Sequence, residues 1–184
     1  MKIIHAYDLP EVTWKNGGGV TREIAVAHEG EQVLWRLSLA GITADGPFSL
    51  FGGLTRVLTV VEGAGMTLKT PHNRLPAEVH KPVSFDGATK IYSTLSNGSV
   101  RALNLMFDPL KCWGQVTAIQ GPYHGASGSA LNLMSAVFCT KGTVKIGGQA
   151  LLRRGSIAMA GTKEMQFELD AAASALVIAI TKNP

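Results

Sequence analysis

Apolar positions along this 184-residue chain fall in short runs, seldom more than eight residues long. "VLWRLSLA" (33–40), "RVLTVV" (56–61), "KIYSTL" (90–95), "VRALNLMF" (100–107), "LMSAVFCT" (133–140), "TVKI" (143–146) and "ALVIAI" (175–180) are rich in β-branched and aromatic residues. Glycine, proline and asparagine separate them, as in "ADGP", "FGGL", "EGAG", "KGT" and "IGG". No stretch sustains a 3.6-residue period, so the pattern predicts an all-β protein. "SNGS" (96–99) predicts a hairpin, because Asn-Gly favours the primed turns that match strand twist. A short helix is the reading of "DPLKCWGQ" (108–115).

The runs also suggest two halves. "LTVVEGAGMTL" (58–68) is echoed by "AVFCTKGTVKI" (136–146): an apolar strand, a charged residue with glycine, then a second strand. "GPYHGASGSA" (121–130), rich in Gly and Ser, has the composition of a linker. This rhythm of short strands and glycine turns predicts two tandem cupin-like jelly-roll barrels, a bicupin. The N-terminal barrel would cover 1–120. The C-terminal barrel, 121–184, would pack against it as one unit.

Alternation within single strands adds detail. In "LWRLSLA", Trp35, Leu37 and Leu39 share one face while Arg36, Ser38 and Ala40 share the other. In "TRVLTVV", Arg56, Leu58 and Val60 share a face. Arg36 and Ser38 are either solvated or in a polar pocket where a guanidinium fork suits a carboxylate. The pattern leaves both readings open. Phe48, after the turn "DGPFS", is a core residue or a pocket wall.

Composition narrows the class. The chain is 46% hydrophobic and 16% charged, enough to bury a core. Its net charge of +4 is scattered, with Arg153–Arg154 the one adjacent basic pair, so no stripe for nucleic acid is expected. Two cysteines, Cys112 and Cys139, form no CxxC and fit a reducing compartment. The first residues carry Asp8 and Glu11 without a long apolar run, and "ALVIAI" is too short to cross a bilayer. A cytoplasmic protein without membrane association is the expectation.

Catalytic signals are sparse. His5, His28, His72, His80 and His124 are too dispersed for a His-x-His cupin metal site, so no metal and no cofactor are expected. His72 and His80 fall in "TPHNRLPAEVHKP", read as an exposed loop. No GxSxG elbow is present. "NGGG" (16–19) lacks the spacing of a nucleotide-binding loop. Its backbone N–H groups could line an anion-binding concavity, or the run could be a turn.

"WKNGGGVTREIA" (14–25), "WRLSLAGITADGPFSLFGGLTRVLTVVEGAG" (35–65), "VSFDG" (83–87) and "VRALNLM" (100–106) together resemble the HutD/Ves family. The resemblance runs in order from 14 to about 107. It implies a two-barrel cupin fold. It also implies either restraint of histidine utilisation by sensing an intermediate, or a stress-related role. Positions carried over from the family motifs are Trp14, Asn16, Gly17, Gly18, Gly19 and Thr21. They continue with Arg36, Ser38, Phe48, Ser49 and Arg56, and end with Asn104 and Met106. At one position the chain departs from the family pattern: Ala102 stands where the family has Asp.

The resulting expectation is a non-catalytic protein that binds a small carboxylate, of the urocanate or formyl- or formimino-glutamate type, and is compatible with a homodimer. The alternative is a metal-independent cupin enzyme, an isomerase or lyase, with Glu23 as its acid or base.

Overall fold

The computed structural model describes residues 1–129, 131–148 and 150–183. It is all-β: the described residues form nineteen strands and one three-residue 3-10 turn, Ala6–Asp8. The chain divides into two compact units. One is Leu9–Lys111; the other combines Met1–Asp8 with Cys112–Pro184. The sequence places the boundary near 120 and all N-terminal residues in the first half. Instead the division falls at 111/112, and the strand Lys2–His5 pairs antiparallel with Ser156–Ala160 of the second unit.

The Leu9–Lys111 unit has two sheets. The larger runs Val12–Thr13, Gly19–Glu29, Gln32–Ile42, Val100–Phe107, Thr55–Glu62, Val83–Asp86, in that spatial order. The smaller runs Gly46–Pro47, Tyr92–Leu95, Met66–Lys69, Arg74–Ala77. Ala40, Ile42, Leu58, Val60 and Ala102 from the larger sheet meet Met66, Leu68 and Ala77 from the smaller in one apolar cluster. The strand Gln32–Ile42 is buried on both faces: Leu37 and Leu39 have no exposed surface, and Ser38 and Ala40 have almost none. The other unit likewise pairs a five-stranded with a four-stranded sheet around Val137, Cys139, Leu152, Phe167 and Ala175. The closed barrels expected from the sequence are not formed; the sheets are open.

Four local expectations are corrected. "SNGS" is no hairpin. Gly98 takes a positive φ and the chain reverses, but Tyr92–Leu95 joins the smaller sheet and Val100–Phe107 the larger, so the turn carries the chain between layers. "DPLKCWGQ" is a turn at Asp108–Lys111 followed by the strand Cys112–Gln120. "GPYHGASGSA" contains the strand Tyr123–Ser127; its last residue, Ala130, lies outside the described residues. The loop read around His72 and His80 includes the strand Arg74–Ala77, and His80 is half-buried with φ +61°. The internal echo, by contrast, is structural. Thr55–Glu62 and Met66–Lys69 lie in the larger and smaller sheets of one unit, as Asn132–Lys141 and Thr143–Ile146 do in the other.

Candidate functional site

The larger sheet of the Leu9–Lys111 unit turns a graded surface toward the smaller one. Antiparallel register sets its rows. Ala40 stands opposite Thr21 and Ala102, and Ala102 opposite Val60, which makes an apolar row. In the next row Glu23, Ser38, Asn104 and Leu58 align. In the row after that, Met106 stands between Arg36 and Arg56. Period-2 alternation puts all of these on one face. A bulge between Glu23 and Ala25 breaks the register just beyond Glu23, which stays opposite Ser38.

A cavity of about 310 Å³ opens over the polar rows. Thr21, Arg36, Ser38, Arg56, Asn104 and Met106 line its sheet side. Trp14, Phe48 and Ser49 line it from neighbouring segments. Nine of the thirteen family positions thus meet in one place. Asn16, Gly17, Gly18 and Gly19 do not line it.

Those four residues build the turn that carries Trp14. Gly17 takes φ +70°, which L side chains rarely adopt, and its N–H donates to the Trp14 carbonyl at 3.0 Å. The Asn16 side chain accepts from Gly18 N–H at 3.1 Å and donates to the Pro47 carbonyl at 3.2 Å, beside Phe48. A Cβ on Gly19 would lie 2.4 Å from the Gly41 carbonyl oxygen and 3.3 Å from the Trp14 ring. The glycines therefore let the chain pass closely beneath an indole rather than expose backbone to a ligand. Trp14 Nε1–H donates to Thr21 Oγ1 at 2.7 Å, and the ring meets Phe48 edge-on at 6.0 Å.

Arg56 is the chemical centre. It is 6% exposed. Its terminal nitrogens donate to the Ser49 carbonyl at 3.2 Å and to Asn104 Oδ1 at 3.1 Å, while Nε is buried without a hydrogen-bond partner. Phe48, Phe51 and Phe85 surround the guanidinium, with ring centroids 5.1–5.3 Å from its carbon. Among the described residues no carboxylate lies within ion-pair distance of it. Burial, and secondarily the Arg36 charge, pull its pKa down to about 10, so it remains a cation at neutral pH.

Arg36 differs. The sequence reading leaves it free to grasp a carboxylate, but its Nε donates to Glu23 Oε2 at 2.8 Å. Both side chains are partly exposed and both line the cavity. Ala102 lies outside the lining, in the apolar cluster one row from Asn104.

Sequence reasoning overlooked Val12, Ala40, Ile42 and Phe51 as lining residues. It also missed Phe85, which stacks on Arg56 because the two are register partners. Phe51 was signalled by "PFSLF", where a second aromatic follows Phe48 three residues later; Phe85 becomes visible only once strand pairing is known.

No three His, Cys, Asp or Glu side chains cluster as metal ligands among the described residues. Cys139 is a core group whose thiol burial pushes up to about 11. No helix among the described residues is long and apolar enough to cross a membrane.

A family model described as HutD matches residues 6–177. An uncharacterised 21.2 kDa protein in the hutC 3′ region of Pseudomonas putida is 36% identical over 113 residues, 59% of each chain. Protein Ves of Citrobacter koseri is 35% identical over 111 residues, 59% of this chain and 58% of that one. The chain thus spans less than two thirds of the length of these curated relatives. The structure of HutD from Pseudomonas fluorescens, solved in a formate condition, superposes with a TM-score of 0.86 at 27% identity, covering 100% of this chain and 99% of that one. Oxalate decarboxylase of Bacillus subtilis shares the fold alone, with a TM-score of 0.63 at 8% identity over 98% of this chain and 77% of that one.

Proposed function

The chain belongs to the HutD family, and from that premise we propose that it is a non-catalytic binding protein for a small carboxylate, held in the cavity of the Leu9–Lys111 unit. The observation that carries this reading is Arg56: a buried cation with no carboxylate partner among the described residues, facing a cavity with apolar walls. An unpaired buried charge is costly, by several kcal/mol after relaxation. An anion seated against it restores the missing partner, and a guanidinium fork suits a carboxylate. Trp14, Phe48 and Met106 offer the apolar remainder of the ligand a surface, and Ser38, Asn104 and Ser49 its polar edge.

Wider parts of the proposal follow the family. The two units form a tandem of cupin-like domains, a bicupin, with the site in the first. The P. putida relative's place beside hutC favours a role in histidine utilisation, with urocanate or formyl- or formimino-glutamate as ligand; the Ves relative keeps a stress-related role open. The protein works in the cytoplasm as a monomer or homodimer, without metal, cofactor, nucleic acid or membrane.

One observation favours a second reading. Glu23 lines the cavity and could serve as the acid or base of a metal-independent isomerase or lyase. In this structure its Oε2 already accepts from Arg36 Nε at 2.8 Å.

Calorimetry with urocanate, formylglutamate and formate tests the binding reading. Saturable binding of at least one of these acids is expected, and Arg56→Met should weaken it by about 2–5 kcal/mol, roughly thirtyfold to several thousandfold. Unchanged affinity in that variant would remove Arg56 from the site. Turnover of any of these acids, lost in Glu23→Gln, would favour the enzyme.

A further inference from the structure

We propose that Glu23 is a specificity residue that makes this cavity select monoanionic carboxylates and reject dianionic ones; the inference rests on the carboxylate-binding reading above. The lining holds three ionisable side chains: Arg36, Arg56 and Glu23. Two cations against one anion leave a net charge of +1, which one ligand carboxylate neutralises. The charges are also arranged unequally. Arg56 is 6% exposed, caged by phenylalanine rings, and has no carboxylate at ion-pair distance among the described residues. Arg36 lies two strands over, with Met106 on the strand between, and is already matched by Glu23.

A first carboxylate therefore belongs at Arg56. A second would have to displace Glu23 from Arg36, or sit close to the Glu23 carboxylate while both are ionised. Either outcome is unfavourable in a partly desolvated cavity, where Coulomb terms between near charges reach several kcal/mol. Glu23 is kept in this position by strand geometry: it pairs with Ser38, and the bulge follows directly after it. The far end of the ligand should then be neutral or carry a donor to the Glu23 carboxylate; of the candidate acids this favours urocanate over formylglutamate, which carries two carboxylates at neutral pH. Specificity would arise from a charge built against the wrong ligand as much as from contacts to the right one.

A matched pair of probes, glutarate and its monomethyl ester, differs by one charge at nearly constant size. Calorimetry of the full chain at neutral pH and fixed ionic strength should find the ester bound more tightly. Glu23→Gln raises the cavity charge to +2 and frees Arg36; the ratio of the two affinities should shift toward glutarate by about tenfold or more. The double variant Glu23→Gln/Arg36→Gln returns the charge to +1 and should restore the preference for the ester. Glu23→Asp keeps the charge and should keep the preference, and thermal melts verify that each variant folds. An unchanged ratio in Glu23→Gln, with both probes still bound, overturns the charge filter and leaves the binding reading intact. Tighter binding of glutarate by the wild type overturns it as well. If the wild type binds neither probe, the filter is also overturned, because it commits to charge rather than to one ligand; the binding reading then stands or falls on the three natural acids.

Discussion

At the scale of single residues, Arg56 and Arg36 look alike in the sequence and differ in the fold. Arg56 is buried with neutral partners, whereas Arg36 is half-buried and ion-paired. A buried cation without a counter-charge is poor evidence of a stabilising role. Arg56→Met should therefore leave the stability of the ligand-free protein within about 1 kcal/mol of the wild type, or raise it, while it weakens carboxylate binding. A collapsed melt would instead mark Arg56 as a structural residue. Arg36→Ala should weaken a monocarboxylate by no more than about tenfold, since it removes a cation already matched by Glu23. The pH dependence has a definite sign. Burial lowers the Arg56 pKa from the ordinary guanidinium range to about 10, so folding disfavours its charged form. That penalty is present below about pH 10 and is relieved as pH rises above about 10 toward the ordinary guanidinium range. Ligand binding needs the charged form, so affinity should be flat from neutrality upward and fall as pH approaches about 10. A titration series by calorimetry checks this, and a loss centred near pH 6 would point to a different anchoring group.

At the scale of elements, the "KNGGG" turn is a positioning device. It brings Trp14 over Thr21 and ties the turn to Pro47, next to Phe48. Gly19→Ala drives a methyl into the Gly41 carbonyl and against the indole, so it should destabilise the protein by about 1–3 kcal/mol and blunt binding indirectly. Asn16→Ala loses two hydrogen bonds, at about 1 kcal/mol each. Because Asn16 does not line the cavity, carboxylate affinity should change less than about threefold at temperatures where the variant is folded. A selective loss of affinity without a lowered melt would place the turn in the ligand's path. The "SNGS" turn makes the complementary point. Its chemistry reverses the chain, yet which strands pair afterwards depends on the layer each apolar face needs.

At the scale of the whole molecule, the first eight residues belong to the unit otherwise formed by 112–184. Lys2–His5 forms an edge strand on Ser156–Ala160, Ala6 N–H donates to the Gly155 carbonyl at 2.8 Å, and a Cβ on Gly155 would strike the Tyr7 ring at 2.8 Å. Deleting residues 1–8 should cost about 2–4 kcal/mol, at roughly 1 kcal/mol per net hydrogen bond lost with some apolar burial added. Denaturant melts of the truncated chain measure it. A change under about 0.5 kcal/mol would show that the strand contributes little.

Local pattern was enough to establish the all-β class, because short β-branched runs and glycine turns leave few alternatives to sheet. It also exposed the internal echo, since two copies of one strand–turn–strand unit repeat the same crossover between layers. Alternation put Arg36 with Ser38, and Arg56 with Leu58, on single faces, and the motif resemblance gathered nine residues that line one cavity. What the sequence could not decide depended on partners distant along the chain. Register set Phe85 against Arg56 and Met106 between the two arginines. Register also set Glu23 opposite Ser38, next to Arg36, and made that guanidinium half of an ion pair. The close approach of Gly19 to Gly41 made the glycine run a support for Trp14 rather than a wall of the site. Periodicity is written in neighbouring residues, so a single chain displays it. Pairing, burial and charge compensation are properties of residues tens of positions apart, so only the folded chain decides them.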